Sequence, residues 1–98
     1  MPHIAIISAS IRPDRKSHRV ALYFEKYLAD SQLASTEIID LRAYRFPLFD
    51  EKLKKQKNPD AQTLEFAKKI DLAQGVIIVT PEYNGGYPAS LKNAIDVL

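Results

Sequence analysis

The sequence predicts an α/β fold built on a parallel sheet of three strands in the order 2-1-3, with helices on both faces. Short β-branched apolar runs alternate with helix-like segments along the 98 residues, and this alternation indicates parallel strands joined by right-handed crossovers. The first and third runs are apolar at consecutive positions, which is typical of strands buried on both faces. A chain of this length forms at most one domain, so the elements are expected to share one sheet.

The first predicted strand covers His3–Ser8, HIAIIS, and the first predicted helix covers Ser17–Asp30. A polar loop with the turn signal Pro13-Asp14 joins them. Ser17 is expected to cap the helix, because a serine oxygen can accept hydrogen bonds from the free amides at a helix N-terminus. The i, i+4, i+7, i+8 spacing predicts an apolar stripe on this helix. The stripe consists of Val20, Phe24, Tyr27 and Leu28.

The remaining predicted elements are the strands Thr36–Leu41 and Val76–Thr80 and the helices Pro59–Ala73 and Ala89–Leu98. Pro59 is expected in the first turn of its helix, where the missing N–H does no harm. The long connection from Arg42 to this helix contains three aromatic residues, Tyr44, Phe46 and Phe49. They either line a substrate or dimer surface or pin the loop to the core, and the general tendency of aromatic side chains to be buried favours the second.

The composition excludes several classes of protein. Without cysteine, the chain has no disulfide, no thiolate metal site and no cysteine nucleophile. Its net charge of +2, with both signs mixed along the chain, does not indicate a nucleic-acid-binding surface. No apolar stretch approaches the roughly 18 residues that span a bilayer, and the N-terminus lacks the basic region of a signal peptide. These features predict a cytoplasmic protein with no nucleic-acid or membrane partner.

The predicted strand order places two loops at one site. In parallel sheets, ligands bind beyond the carboxyl ends of the strands where the strand order reverses, which here lies between the first and third strands. The loop after the first strand is rich in positive charge, opposed only by Asp14. Its basic residues are Arg12, Arg15, Lys16 and Arg19. A helix N-terminus with nearby hydroxyls favours an anion, but the loop lacks a glycine-rich phosphate signature, and a merely solvated loop is the alternative.

The loop after the third strand, TPEYNGGYP, contains two of the three glycines. Gly85 and Gly86 can adopt positive φ and let a ligand approach the backbone. Tyr83 and Tyr87 add aromatic surface, which suits a flat heteroaromatic ligand with polar edges. The alternative is a tight strand-to-helix turn whose tyrosines pack on the core.

These two loops resemble the signature segments of a known family. Residues 80–96, TPEYNGGYPASLKNAID, resemble the PEYN…P…LKNAID signature of NADPH-dependent FMN reductases. Residues 8–21, SASIRPDRKSHRVA, resemble the GSxRxxS-type phosphate loop of the same family. The resemblance implies a flavodoxin-like fold. Members usually carry glycine where this chain has Ala9. The methyl group of Ala9 is expected to be tolerated if the φ of this residue is negative.

The resemblance also implies a site for FMN. Its phosphate-binding residues would be Ser10, Arg12 and Ser17, with His18 adjacent. Its ring-binding residues would be Pro81, Glu82, Tyr83, Asn84 and Gly85, largely through backbone groups. No catalytic residue and no metal ligand is implied, because hydride passes directly between nicotinamide and flavin.

The activity implied is that of an FMN-dependent oxidoreductase, passing two electrons from NADPH through FMN to a quinone, azo compound or free flavin, in a homodimer or homotetramer. Members of the family are nearly twice as long as this chain. Residues 1–98 are therefore expected to be the N-terminal part of a single flavodoxin-like FMN-binding domain, with the C-terminal part of the fold missing. The alternative from another class is a non-enzymatic or incomplete flavin- or nucleotide-binding module that needs a partner chain for activity.

Overall fold

A parallel β-sheet of three strands forms the centre of the molecule in a computed structural model that describes residues Met1–Leu98. The strands are β1 (His3–Ser8), β2 (Ser35–Asp40) and β3 (Gly75–Val79). They lie in the order β2-β1-β3, and both pairings with β1 are parallel. The predicted fold class and strand order are confirmed.

Three helices cover the two faces of the sheet: α1 (Ser17–Asp30), α2 (Ala61–Leu72) and α3 (Ala89–Val97). α1 packs on one face, while α2 and α3 pack on the other. Two short 3-10 turns, Leu41–Ala43 and Leu53–Lys55, lie in the connection between β2 and α2. None of the helices has the length and apolar character needed to cross a membrane.

Successive residues of β1 enter two different hydrophobic cores, because alternate side chains of a strand point to opposite faces of the sheet. The larger core lies beneath α2 and α3 and contains Ala5, Ile7, Ala9, Ile39, Leu41, Phe66, Leu91 and Ala94. The smaller core lies beneath α1 and contains Ile6, Ala21 and Val79. Burial on both faces explains why β1 is apolar at consecutive positions.

The predicted bounds of the first helix, Ser17–Asp30, are confirmed, but the predicted cap of this helix and the predicted start of the second helix are wrong. Lys16 occupies the N-cap position of α1 and no side chain caps the helix, so Ser17 is its first residue rather than its cap. α2 begins after Asp60, whose carboxylate accepts a hydrogen bond from the amide of Thr63 at 3.3 Å. Pro59 therefore lies before the helix. Aspartate is a strong cap because its charge also interacts favourably with the helix dipole.

The buried face of α1 is rotated from the predicted stripe. Ala21 is fully buried and Phe24 packs at the margin of the smaller core. Val20 and Tyr27, in contrast, are 46% and 49% exposed. A small side chain at the point of closest approach lets the helix lie near the sheet, so the larger neighbours on either side remain partly in solvent.

The aromatic residues at the start of the long connection pack on the core, as expected. The rings of Tyr44 and Phe46 stack with a centroid distance of 5.2 Å. Both contact Phe66 of α2, at centroid distances of 6.1 and 5.1 Å. The ammonium group of Lys69 lies 5.6 Å from the centre of the Tyr44 ring. This aromatic cluster fixes the connection against α2.

The middle of the same connection is held by a single side chain of α3. The Asn93 amide donates to the carbonyl of Pro47 at 2.9 Å and accepts from the amide of Phe49 at 2.6 Å. Between these two bonds, Leu48 is 87% exposed, and Phe49 is itself 38% exposed. The expectation of a buried Phe49 is therefore not met, and Asn93 braces the loop.

β3 forms one edge of the sheet, because it pairs with β1 alone. Val76 and Ile78 are each 44% exposed on the face that also carries Ala5 and Ile7. An edge strand of this kind presents unpaired backbone donors and acceptors together with apolar side chains.

Candidate functional site

The loops that follow β1 and β3 meet beyond the carboxyl ends of these strands, where the strand order reverses. Between them lies a cavity of about 320 Å³, named here the strand-end cleft. Its lining residues are Ser10, Arg12, Asp14, Arg15, Lys16, Ser17, Pro81 and Tyr83. Arg12 and Tyr83, which stand far apart in the sequence, thus share one cavity, as the strand order predicted.

Ser10 joins the two sides of the cleft. Its residue is only 2% exposed, and its hydroxyl lies 3.4 Å from the phenolic oxygen of Tyr83. The amide of Arg12 donates to the same hydroxyl at 3.4 Å. A buried hydroxyl between two loops can offer a hydrogen bond to a ligand that lies across both.

Donors for an anion gather on the β1–α1 side of the cleft. The Arg12 side chain is exposed and makes no hydrogen bond with the protein, and Lys16 is exposed beside it. Because no side chain caps α1, the first amides of this helix are available to a ligand, and the helix dipole favours negative charge there. Asp14 is the one acid among the lining residues.

The β3–α3 side is shaped by a tight turn. The Tyr83 amide donates to the Gly86 carbonyl at 2.8 Å, and the Gly86 amide donates to the Tyr83 carbonyl at 3.1 Å. Asn84 and Gly85 between them have φ of 53° and 82°, as in a type I′ turn, for which Asn-Gly is the strongest sequence signal. Gly86 does not adopt a positive φ, so only one of the two glycines is needed for this conformation.

The site residues expected from the resemblance fall into three groups. Ser10, Arg12, Ser17, Pro81 and Tyr83 line the strand-end cleft. Glu82, Asn84 and Gly85 lie in the exposed turn beside it. His18 lies behind the cleft, with its Nδ1 atom 2.8 Å from the buried hydroxyl of Ser8. The role of each in binding FMN stays a prediction.

Ala9 occupies the position at which the family usually has glycine. It is fully buried and its φ is not positive. Its amide donates to the carbonyl of Val79 at 3.0 Å, and its carbonyl accepts from the hydroxyl of Ser90 at 2.9 Å. The methyl group is therefore accommodated, and the start of the β1–α1 loop is attached to both β3 and α3.

The pairing of Arg15 with Asp40 was missed by sequence reasoning, which counted Arg15 among the free charges of the loop. The guanidinium donates to both carboxylate oxygens of Asp40, with Nη2 to Oδ2 at 2.6 Å, and Nη1 also donates to the carbonyl of Ser10 at 3.1 Å. A signal was available: Asp40 ends β2 directly beside Ser8, so it faces the basic loop. The pair raises the pKa of Arg15 and lowers the pKa of Asp40.

The lowered pKa of Asp40 makes stability depend on pH. A carboxyl group whose pKa is lower in the folded state stabilises the fold above its unfolded pKa, roughly 3.9, and this contribution is lost as pH falls through the folded value. We expect Asp40→Asn to lower the free energy of unfolding by about 1.5–3 kcal/mol near neutral pH, and by much less at acid pH below the folded pKa. Urea denaturation of both proteins at the two pH values measures this difference. An equal difference at both would contradict it.

A larger cavity, of about 380 Å³, lies under the long connection between β2 and α2. Its lining comes mainly from residues 47–58, with side chains of both charge signs. No residue of the loops after β1 or β3 contributes to it. Since ligands of parallel sheets bind where the strand order reverses, the strand-end cleft is the better candidate site.

A parallel sheet of this strand order, with a polar cleft at the point of reversal, defines a flavodoxin-like α/β protein. Residues 2–98 match the family described as NADPH-dependent FMN reductase, and the chain belongs to that family. This match confirms the family that the sequences of the two loops indicated, and that family is one of oxidoreductases.

Several relatives are similar over nearly all of this chain. The NAD(P)H-dependent FMN reductase LOT6 of Saccharomyces cerevisiae is 32% identical over 97% of the chain and 56% of its own length. The quinone reductase of Pseudomonas putida is 36% identical over 96% of the chain and 48% of its own length. The chain thus spans about half the length of the curated relatives it matches.

Two solved structures show the same architecture. FerB, a flavoenzyme NAD(P)H:(acceptor) oxidoreductase from Paracoccus denitrificans, aligns with a TM-score of 0.74 at 27% identity, over 99% of this chain and 50% of that one. The NAD(P)H:quinone oxidoreductase from Methanothermobacter marburgensis aligns with a TM-score of 0.75 over 98% of this chain and 53% of that one. Its 21% identity supports the fold alone.

Proposed function

We propose that the chain forms part of a cytoplasmic FMN-dependent oxidoreductase that passes two electrons from NADPH to a quinone, azo compound or free flavin. The observation that carries the proposal is the strand-end cleft, which brings the basic β1–α1 loop and Tyr83 into one cavity. The Ser10 hydroxyl of that loop lies 3.4 Å from the phenolic oxygen of Tyr83. The relatives named FMN reductase and quinone reductase support the choice of cofactor and acceptor.

The β1–α1 side of the cleft fits the phosphate of FMN. Arg12 can form two charge-assisted hydrogen bonds to one phosphate group. The hydroxyls of Ser10 and Ser17 and the free amides at the start of α1 add neutral donors. His18 is proposed to lie adjacent to the phosphate, held from behind by Ser8. The donor set is one that recognises phosphate by hydroxyls and arginine, in a loop without glycine.

The β3–α3 side fits a flat ring. Tyr83 and Pro81 give the cleft an aromatic and an aliphatic surface. Glu82, Asn84 and Gly85 are proposed to border the ring mainly through their backbone groups, because their side chains lie in the exposed turn. The left-handed conformation of Asn84 and Gly85 sets the direction in which these backbone groups point.

When bound, FMN supplies the acceptance and donation of electrons. The protein holds the phosphate at the helix N-terminus and keeps the ring against the β3–α3 turn. No side chain is assigned as a catalytic acid or base. The residues of the cleft therefore act by binding and orienting the cofactor.

The proposal extends to assembly. The chain represents about half of each relative's length, and β3 leaves an open edge of the sheet. The second candidate is a flavin-binding module that reaches activity only with a partner chain, and the unpaired edge of β3 is the observation that supports it. For the enzyme itself we propose a homodimer or homotetramer. Residues 1–98 would be the N-terminal part of one FMN-binding domain.

Titration of the purified chain with FMN, followed by flavin fluorescence, tests the proposal, with riboflavin as the matched ligand that lacks the phosphate. We expect FMN to bind more tightly than riboflavin, and NADPH to be oxidised when FMN and a quinone are both present. Binding without turnover would select the module that needs a partner. Failure to bind FMN in preference to riboflavin would overturn the assignment of the phosphate side.

A further inference from the structure

Arg15 differs from Arg12 in where its charge is used. The side chain of Arg15 is only 13% exposed, whereas Arg12 is an exposed residue whose side chain has no hydrogen-bond partner in the protein. The Arg15 guanidinium bridges the Asp40 carboxylate at the end of β2 and the carbonyl of Ser10. The N–H groups of Arg15 that donate to these two partners are therefore already occupied in the absence of a ligand.

A second arginine strengthens the same connection. The Arg42 amide donates to Asp40 at 3.0 Å, and the Arg42 side chain donates to the carbonyl of Pro13 at 3.3 Å. The β1–α1 loop is thus attached to Asp40 at the end of β2 through Arg15 and to Arg42 through Pro13, while Arg15 also holds Ser10 of the same loop. Because the start of this loop is also attached to β3 and α3 through Ala9, both of its sides are restrained.

These bonds orient Ser10. Its carbonyl is held on the Asp40 side by Arg15 at 3.1 Å. Its hydroxyl is directed to the opposite side, where it meets Tyr83 across the cleft. A long-range ion pair thus restrains the loop between Ser10 and Arg15.

We propose that Arg15 is a positioning residue, which pre-forms the phosphate-binding loop by bridging Ser10 to Asp40 and does not itself contact the phosphate. This inference rests on the proposed binding of FMN in the strand-end cleft. It divides the basic loop into two roles, with Arg12 as the binding arginine and Arg15 as the supporting one.

The geometry makes a specific demand on the side chain. A planar guanidinium can donate in parallel to both carboxylate oxygens and still reach a carbonyl, whereas a lysine ammonium acts as a point charge. Arg15→Lys therefore keeps the charge and loses the bridge. Arg15→Gln loses both, and Asp40→Asn removes the negative partner while keeping the size of the side chain.

The experiment combines FMN titration with amide hydrogen exchange of residues 10–16 measured without FMN. We expect Arg15→Gln to weaken FMN binding roughly tenfold or more, as loss of a bridging charged group does, and to speed exchange in this loop by a similar factor. Arg15→Lys, which keeps the charge, should show nearly the same loss of FMN affinity and nearly the same faster loop exchange as Arg15→Gln. The double variant with Asp40→Asn should be no worse than Arg15→Gln alone, because both changes break one bridge. Arg19→Gln, the same charge change at an exposed residue outside the cleft, is the control and should alter neither.

The outcomes separate the inference from the proposed function. If Arg15→Gln weakens FMN binding with unchanged loop exchange, or if Arg15→Lys restores affinity, then Arg15 acts by its charge on the phosphate and the inference is wrong. If exchange quickens and FMN affinity stays the same, the bridge is only structural and the inference is likewise wrong. If the unaltered chain does not bind FMN, the proposed function fails, while the exchange data still decide whether the bridge orders the loop. Asp40→Asn gives a second test of that bridge should Arg15→Gln fail to fold.

Discussion

Phe66→Ala is expected to lower the free energy of unfolding by about 3–5 kcal/mol, the range found when a fully buried phenylalanine is removed from a core. Phe66 is 1% exposed and is the largest fully buried side chain. Its removal also ends the ring contacts with Tyr44 and Phe46 that hold the long connection. Domains of this kind have roughly 5–15 kcal/mol in total, so the variant should unfold at a much lower urea concentration.

Urea denaturation followed by circular dichroism measures this loss. Leu64→Ala provides the matched control, because Leu64 lies in the same helix and is 49% exposed. That variant should lose under about 1 kcal/mol, as is usual for partly exposed positions. Equal losses for the two variants would show that the larger core does not depend on Phe66.

Arg12→Ala is expected to weaken FMN binding by roughly 10- to 150-fold, because the loss of a hydrogen bond to a charged group costs about 1.5–3 kcal/mol. The Arg12 side chain lines the cleft and has no protein partner to replace the lost interaction. Its removal should leave the urea midpoint nearly unchanged. Fluorescence titration with FMN gives the affinity.

Two comparisons make the Arg12 result specific. Riboflavin has no phosphate, so its affinity should be the same for the unaltered chain and for Arg12→Ala. Arg19→Ala removes the same charge from an exposed residue that does not line the cleft, and should change FMN affinity less than about twofold, since exposed charges are strongly screened. Unchanged FMN affinity in Arg12→Ala would remove this arginine from the phosphate site.

The fold was accessible from sequence because its signals are local and repeated. The first and third strands are short apolar runs, and α1 and α2 each lie between two strands, so parallel crossovers and the order 2-1-3 follow from general rules. The same order brings Arg12 and Tyr83 into one cleft. The aromatic packing of Tyr44 and Phe46 followed from the preference of large apolar groups for the core.

What escaped prediction depends on contacts between distant parts of the chain. The partners Arg15 and Asp40 are 25 positions apart, and only the register of β2 beside β1 brings them together. The rotation of α1 depends on how closely Ala21 approaches the sheet, which periodicity alone does not show. The cap of α1 was misjudged because Ser17 is a good cap by residue type, but Lys16 occupies the N-cap position and Ser17 is already the first helical residue.

The two borders of the sheet are chemically unequal. β2 carries Glu37 and Asp40, and the Lys69 ammonium group lies 3.4 Å from the Glu37 carboxylate. Charged side chains at an edge strand disfavour pairing with a further strand. β3 has only Gly75–Val79, without a single charge. A further strand would therefore add more readily beside β3 than beside β2, because the apolar edge offers unpaired backbone groups without a charge to oppose the approach.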